Sequence, residues 1–184
     1  NADGVVIEIV DSGIDYNNPD LQEMMWDEGE DYPELTELGG GKYGICTAQT
    51  RYDGTPYSSM DPMDDDGHGT HCAGSAAAPW NGLGVSGTAN GAKLMVIKHA
   101  NDRGTSYDAA SIRGFNYIKM AKEQGVNVVA VNNSWGGAHA SMGFSLAVRE
   151  LAKVGIVSVY ASGNENENID YAGDTTSSLL RTPG

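Results

Sequence analysis

Four short runs of mostly apolar residues recur along the chain, and their β-branched composition is typical of strands buried on both faces of a sheet. The segments between them show helical spacing or many small residues, and glycine or proline follows each one. The predicted strands cover residues 4–10, 92–98, 126–132 and 156–160, and the predicted helices cover 68–78, 108–124 and 141–154. Strands that alternate with helices predict an α/β fold, a doubly wound parallel sheet with helices on both faces.

Residues 19–62 break this alternation. They are rich in Asp, Glu, Gly and Tyr without a sustained period, so they predict a long irregular excursion with one short strand at 43–47. No repeat or low-complexity segment divides the 184 residues, and their number suits one domain. We therefore interpret residues 1–184 as a single domain.

Polar residues stand at the carboxyl ends of three predicted strands. Asp11 follows the first strand, the Asn132-Asn133-Ser134 cluster ends the third, and Asn164 follows the fourth. His68, between two glycines, opens a helix and can join them. Ligands of such folds bind outside the carboxyl ends of the strands, so this edge is the predicted site.

Asp11 and His68 are the first candidates for chemistry. A carboxylate that holds an imidazole in one tautomer, with the other ring nitrogen facing a nucleophile, forms the orienter and base of a catalytic triad. The side-chain amide of Asn164, placed after a strand, can donate to a developing oxyanion. The sequence therefore predicts acyl-transfer chemistry at this edge.

Four motifs carry these residues: VIEIVDSGID at 6–15, HGTHCAG at 68–74, NSWGG at 133–137 and ASGN at 161–164. In this order and spacing they resemble the aspartate, histidine, substrate-binding and oxyanion motifs of the subtilisin-like serine proteases. The resemblance covers nearly the whole chain and is weakest over residues 22–62. It implies a subtilisin-like fold and a serine endopeptidase that hydrolyses peptide bonds.

The resemblance also implies roles for individual residues. Asp11 becomes the orienting acid, His68 the general base and acid, and Asn164 the oxyanion donor. A peptide or protein substrate is expected to bind as an added strand, held mainly through its backbone. The implied substrate-binding residues are Gly104, Thr105, Ser106, Ser134, Trp135, Gly136, Gly137, Ala161, Ser162 and Gly163.

One structural calcium ion and a secreted or extracytoplasmic location are further implications of the resemblance. Oxygen-only ligands suit this hard cation. The implied ligands are the side chains of Asp20 and Asn81 and the main-chain carbonyls of Pro79, Leu83 and Val85.

The nucleophile of the family lies in a Gly-Thr-Ser-Met-Ala-type motif, and no such motif occurs in these residues. Ser177 and Ser178 lack its flanks, and Ser134 matches the substrate-binding motif instead. We therefore expect a partial peptidase domain, incomplete at both ends, which is inactive alone and has a propeptide or the remaining C-terminal part as partner. The alternative is a non-catalytic pseudoprotease or peptide-binding module that needs a second polypeptide.

The net charge of the chain limits the classes of molecule that it is expected to bind. Lysine and arginine number 11 against 25 acidic residues, which gives a net charge of −14. This charge repels phosphate backbones and anionic lipids, so the sequence argues against nucleic-acid and membrane partners. The aspartates at 64–66 are expected to form a solvated acidic loop beside His68, where they could also raise its basicity or help to hold a cation.

Other interpretations of single motifs are weaker. Asp11-Ser12-Gly13 also matches the aspartic-protease signature, but that enzyme class needs two such carboxylates and an all-β fold. His68, His71 and Cys72 could ligate a transition metal, yet no further ligand stands at zinc spacing. Cys46 is expected in a loop, and the sequence leaves open whether it pairs with Cys72.

Overall fold

The computed structural model describes residues 2–136, 141–164 and 166 of the chain. Within them, five parallel strands form one sheet in the order β2-β3-β1-β4-β5. The strands are β1 Val6–Asp11, β2 Gly44–Cys46, β3 Lys93–Lys98, β4 Val128–Asn133 and β5 Val157–Tyr160. The helices are α1 Pro33–Glu37, α2 His68–Ala77, α3 Asp108–Glu123 and α4 Met142–Lys153.

The sheet has a hydrophobic core on each face, which confirms the predicted α/β class. The core on one side joins the sheet to α3 and α4, and includes Val10, Met95, Val131, Phe115 and Phe144. The core on the other side joins it to α2, and includes Ile9, Leu94, Val96, Ala73 and Ala77. None of the helices in the described residues has the length and apolar character needed to cross a membrane.

The ends of the longer helices follow local signals in the sequence. Ser141 caps α4, and its hydroxyl oxygen accepts a hydrogen bond from the N–H of Phe144 at 3.1 Å. Gly125 and Gly155 follow α3 and α4 with φ angles of 103° and 80°, the left-handed conformation that commonly ends a helix. The predicted strands and helices therefore differ from the observed ones by only one or two residues at each end.

The excursion at 19–62 holds more structure than the sequence predicts. Besides the predicted strand β2, it contains 3₁₀ turns at Gln22–Met24 and Gly29–Asp31 and the helix α1. Leu35 of α1 is fully buried in the core beside α3. These elements are too short to show a period, so the pattern of apolar residues does not predict them.

The central strand β1 determines where a site can form. The chain places β3 on one side of β1 and β4 on the other, so the order of strands changes direction there. In open α/β sheets, the carboxyl ends of the strands at such a point border a crevice in which ligands bind. Asp11 is the last residue of β1 and therefore lies at this crevice.

Candidate active site

Asp11 and His68 form a hydrogen-bonded pair at the crevice. Nδ1 of His68 lies 2.7 Å from Oδ1 of Asp11. The Asp11 side chain is 5 % exposed and the His68 side chain is 53 % exposed. A buried carboxylate thus holds one edge of an imidazole ring that solvent and ligands can reach. The fold brings together two residues that stand 57 positions apart, as the sequence analysis expected.

The start of α2 fits closely against the loop after β1. A Cβ atom at Gly69 would lie 2.1 Å from the carbonyl oxygen of Gly13 and 3.0 Å from Cβ of Asp11. Any side chain at this position would push α2 away from β1. The glycine after His68 is therefore needed for the close approach that lets the imidazole reach Asp11.

Asp64 holds this helix start in place, a role that the expectation of a solvated acidic loop did not include. Its Oδ1 atom accepts hydrogen bonds from the N–H of Gly67 at 3.0 Å and from the Ser12 hydroxyl at 2.9 Å. Its Oδ2 atom accepts bonds from the N–H and hydroxyl of Thr70. Burial opposes ionisation, but these bonds outweigh it and lower the pKa of Asp64. Asp64 therefore caps α2 as a carboxylate.

The surroundings of His68 make it a stronger base. The hydrogen bond to Asp11 raises its pKa above the ordinary value, while partial burial acts in the opposite direction. The negative charges of Asp11, Asp66 and Asp64 add to the increase. All of these effects except burial stabilise the imidazolium, the form that His68 would take after accepting a proton.

Lys98 is the main supporting residue that the sequence analysis missed. It ends β3 beside Asp11, and its side chain is 0 % exposed. Its Nζ atom donates to the carbonyl oxygen of Ser12 and to Oδ1 of Asp65, both at 2.5 Å. Tyr57 adds its ring, 4.8 Å from the ammonium group, and its hydroxyl donates to Asp65 at 2.8 Å. The only sequence signal was a lysine at the end of an otherwise apolar strand.

The expected substrate-binding residues lie along the same edge of the sheet. The Ser134 hydroxyl is 2.9 Å from Nδ2 of Asn132. The Trp135 ring packs inward, with its centroid 4.6 Å from that of His99 and 5.5 Å from that of Phe144. Gly136 follows it, whereas Gly137 lies outside the described residues.

Residues 104–106 are held by a turn rather than by a strand. Asn101 closes the turn, since its carbonyl oxygen accepts from the N–H of Gly104 and its Oδ1 accepts from the N–H of Thr105, both at 3.0 Å. Gly104 has a φ of 67°. Ser106 follows in irregular backbone before α3.

The residues after β5 extend the site at the far side of β4. The N–H of Ala161 donates to the carbonyl oxygen of Asn133 at 3.1 Å, which continues the pairing of β4 with β5 by one residue. Ser162, Gly163 and Asn164 come next and are exposed at the carboxyl edge. Asn164 therefore lies on the same edge of the sheet as Asp11.

Of the residues expected to hold calcium, Asp20 contacts the turn at Val85. Oδ2 of Asp20 accepts a hydrogen bond from the N–H of Val85 at 2.8 Å, while its Oδ1 atom is buried without a hydrogen-bond partner among the described residues. In the same turn, Oδ1 of Asn81 accepts a hydrogen bond from the N–H of Leu83 at 2.9 Å. The N–H of Asn81 donates to the carbonyl oxygen of Pro79 at 3.0 Å. The unpartnered carboxylate oxygen beside this turn fits a hard cation.

The two cysteines are both free thiols. Cys46 lies buried in β2, which corrects the expectation of a loop position, and burial raises the pKa of its thiol to about 11. Sγ of Cys72 lies 3.9 Å from Nδ1 of His68. Asp11, His68 and Cys72 thus place possible metal-ligating atoms within 4.8 Å of one another, but the first two already bind each other.

Known proteins resemble this chain in sequence and in fold. A model of the Subtilase family matches residues 2–181. Thermitase of Thermoactinomyces vulgaris is 32 % identical over 162 residues, which cover 88 % of this chain and 48 % of that protein. An intracellular serine protease of Paenibacillus polymyxa is 30 % identical over 184 residues, which cover 98 % of this chain and 46 % of that protein.

A solved structure of a cold-adapted subtilisin-like serine proteinase is similar in fold, with a TM-score of 0.65 at 20 % identity. The match covers 95 % of this chain and 51 % of that one. The chain therefore spans about half the length of these relatives. Because the family match extends over nearly all of its residues, the chain belongs to the Subtilase family.

Proposed function

We propose that this chain supplies the acid–base half of a serine endopeptidase. The observation that carries the proposal is the 2.7 Å contact between Nδ1 of His68 and Oδ1 of Asp11. Because Nδ1 is engaged, Nε2 is the ring nitrogen available to a nucleophile. The accessible His68 ring and its raised pKa support the same role.

In the proposed reaction, Nε2 of His68 takes the proton from a serine hydroxyl as the serine oxygen attacks the carbonyl carbon of the peptide bond. The same imidazolium then gives that proton to the leaving amine nitrogen as the carbon–nitrogen bond breaks. Asp11 stabilises the imidazolium and fixes its tautomer. Asn164 would donate its side-chain amide to the developing oxyanion.

The nucleophilic serine, in this proposal, lies outside these 184 residues. The chain contains no Gly-Thr-Ser-Met-Ala-type motif, and its matched relatives are about twice as long. Val157 and Val159 of β5 are 62 % and 51 % exposed, which suits a strand that further parts of the domain would cover. We accordingly propose that the 184-residue chain alone does not hydrolyse peptides.

The substrate would be an extended peptide that lies between residues 104–106 and 134–136. Support comes from the position of both segments at the carboxyl edge beside the Asp11–His68 pair. Backbone pairing of this kind accepts many sequences. A secreted or extracytoplasmic location stays a prediction from the family resemblance.

A fluorophosphonate probe tests the proposed chemistry. We expect a longer form of the protein that includes the serine motif to be labelled and to cleave a peptide, and His68→Ala to abolish both. The 184-residue chain should remain unlabelled. Labelling of this chain by itself would overturn the proposed location of the serine, and an unlabelled longer form that still binds peptide would be a pseudoprotease.

Calcium binding by Asp20 and the 79–85 turn is proposed as a structural feature. The buried Oδ1 of Asp20, which has no hydrogen-bond partner within the residues that the structure describes, supports it. Calcium should raise the melting temperature of the chain more than magnesium does, because magnesium needs a tighter octahedral site. Asp20→Asn should remove this difference, whereas Glu37→Gln on the exposed side of α1 should preserve it. An equal effect of both metals on the wild-type chain would contradict the proposed site.

A further inference from the structure

A cavity of about 610 Å³ opens at the carboxyl ends of β2 and β3, next to the start of α3. We call it the β2–β3 pocket. Neither Asp11 nor His68 lines it, so it is separate from the proposed catalytic pair. The lining residues that matter for its chemistry are Arg51, Tyr52, His99, Thr105, Tyr107 and Arg113.

His99 lines the β2–β3 pocket and also contacts the expected substrate-binding residue Trp135. His99 is 1 % exposed, and its Nδ1 atom lies 2.8 Å from the Ser111 hydroxyl. Burial, with a smaller effect from the nearby Lys98 charge, lowers the pKa of His99 to about 3, so the ring is neutral. The His99 ring also contacts Trp135, at 4.6 Å between centroids. Thr105 belongs both to the pocket wall and to the expected substrate-binding turn.

Positive charge is concentrated here in a chain that has little of it. The sequence has five arginines and a net charge of −14, and two of those arginines, Arg51 and Arg113, line this pocket. Arg51 lies 3.5 Å from Asp65 and 4.5 Å from the centre of the Tyr57 ring. Arg103 stacks on Tyr52, which lines the pocket, at 3.5 Å.

Arg113 is the arginine that remains available for a ligand. It projects from the second turn of α3, is exposed, and makes no ion pair or hydrogen bond with any residue that the structure describes. Two nearby acids are engaged: Asp65 bonds to Lys98, and Asp102 accepts from the N–H of Tyr52 at 2.7 Å. A guanidinium at the wall of a concave pocket suits a carboxylate, which it can bind through two parallel hydrogen bonds.

We propose that the β2–β3 pocket is an exosite for an acidic side chain of the peptide substrate, outside the residues that bind along 104–106, with Arg113 as its anion-binding group. The inference rests on the proposed peptidase function, since the peptide must first lie against Thr105. The exposed rings of Tyr52 and Tyr107 flank the entrance and supply apolar contact. The pocket thereby favours an acidic side chain at one place on a surface that otherwise repels negative charge.

Matched peptides test this selectivity by calorimetric titration of the 184-residue chain. In one series a single glutamate moves along the peptide, and in the other glutamine replaces it at each place. We expect one position at which glutamate binds about fivefold more tightly than glutamine, the upper range for a partly exposed ion pair. The preference should fall below about twofold in 1 M salt, where the screening length is only about 3 Å.

Arg113→Gln should abolish the glutamate preference, and Arg113→Lys should retain part of it. Arg149→Gln, an exposed arginine of α4 away from the pocket, serves as the matched control and should leave the preference unchanged. Equal affinity for glutamate and glutamine peptides at every position would overturn the exosite and leave the peptidase proposal standing. Failure of both series to bind would overturn the expected substrate strand together with the exosite.

Discussion

Two buried carboxyl groups on the central strand differ in their hydrogen bonding. Glu8 and Asp11 are three positions apart in β1 and therefore face opposite sides of the sheet. Asp11 bonds through Oδ1 to His68 and to the N–H of Ser12, both at 2.7 Å. Glu8 is 0 % exposed, and neither of its oxygens has a hydrogen-bond partner among the described residues.

The backbone explains the difference. β1 pairs with a strand on each side, so its central N–H and C=O groups are used by the sheet and offer nothing to the Glu8 carboxyl. Burial consequently raises the pKa of Glu8 well above the ordinary value. At the end of β1 the pairing stops, the N–H of Ser12 is free to turn inward, and α2 brings an imidazole. The carboxyl edge of a parallel sheet can thus supply a carboxyl group with hydrogen-bond donors that the centre of the same strand does not offer.

The largest expected effect comes from the same chemical change made at both positions. If a longer form that carries the serine motif is active as proposed, Asp11→Asn should lower its kcat/KM by about 10⁴-fold, the loss that this change causes in serine proteases with an Asp-His-Ser triad. The amide would hold His68 in the wrong tautomer. Glu8→Gln is the matched control on the opposite face and should leave kcat/KM within about twofold, since it touches no group of the site. Comparable losses from both changes would mean that Asp11 acts through the fold.

Substitution of Lys98 measures how much a buried charge at the carboxyl edge contributes to the free energy of unfolding. Lys98→Met should lower the free energy of unfolding by about 3 kcal/mol, because it leaves the Ser12 carbonyl and Asp65 without their buried partner. Lys93→Met at the other end of β3, where the side chain only reaches the Glu23 carbonyl at the surface, should cost less than about 0.5 kcal/mol. Urea denaturation at pH 7 measures both. Equal costs would show that the buried pair adds nothing to stability.

These residues also mark what the sequence could and could not predict. The sheet and the three longer helices follow from apolar runs and helical spacing, and Asp11, His68 and Asn164 from motifs in order. Lys98, by contrast, looks the same in the sequence whether it is buried or exposed. Its bonds to Asp65 and Ser12 span 33 and 86 positions and exist only once the sheet has formed. The environment of Glu8 was equally unpredictable, because its position inside an apolar run does not show which groups surround it.

Glu8 should make stability depend on pH. Its folded-state pKa lies above the unfolded value of about 4.5, so the folded chain keeps a proton that the unfolded chain has lost. Below about pH 4.5 Glu8 is protonated in both states and does not reduce the free energy of unfolding. As the pH rises above this value, the free energy of unfolding falls by about 1.4 kcal/mol per pH unit until the folded-state pKa of Glu8 is reached. Tyr117, whose buried hydroxyl also has no hydrogen-bond partner in the described part of the chain, has its pKa raised by burial and by Glu8.

Glu8→Gln removes the titrating group while nearly keeping its shape. Subtracting its free energy of unfolding from that of the wild type at pH 5, 6 and 7 should isolate the predicted slope. Glu8→Met, which also removes the unpartnered polar atoms, should stabilise the chain by about 1–3 kcal/mol at pH 7. A wild type and a glutamine variant with parallel pH dependence would show that Glu8 already has a partner that keeps it ionised.

The smallest expected effect concerns the acids around His68 that do not touch its ring. The Asp66 charge raises the pKa of His68 less than the Asp11 contact does. Asp66→Asn should therefore lower that pKa by less than Asp11→Asn, as followed by NMR titration of the imidazole, and move the acid limb of the activity profile to lower pH. Asp53→Asn, on the exposed loop where Asp53 accepts from the N–H of Thr55, should leave the titration unchanged. A shift from Asp66→Asn as large as that from Asp11→Asn would mean that the basicity of His68 comes from the acidic loop as a whole, and the contrast between a partnered Asp11 and an isolated Glu8 would lose its functional meaning.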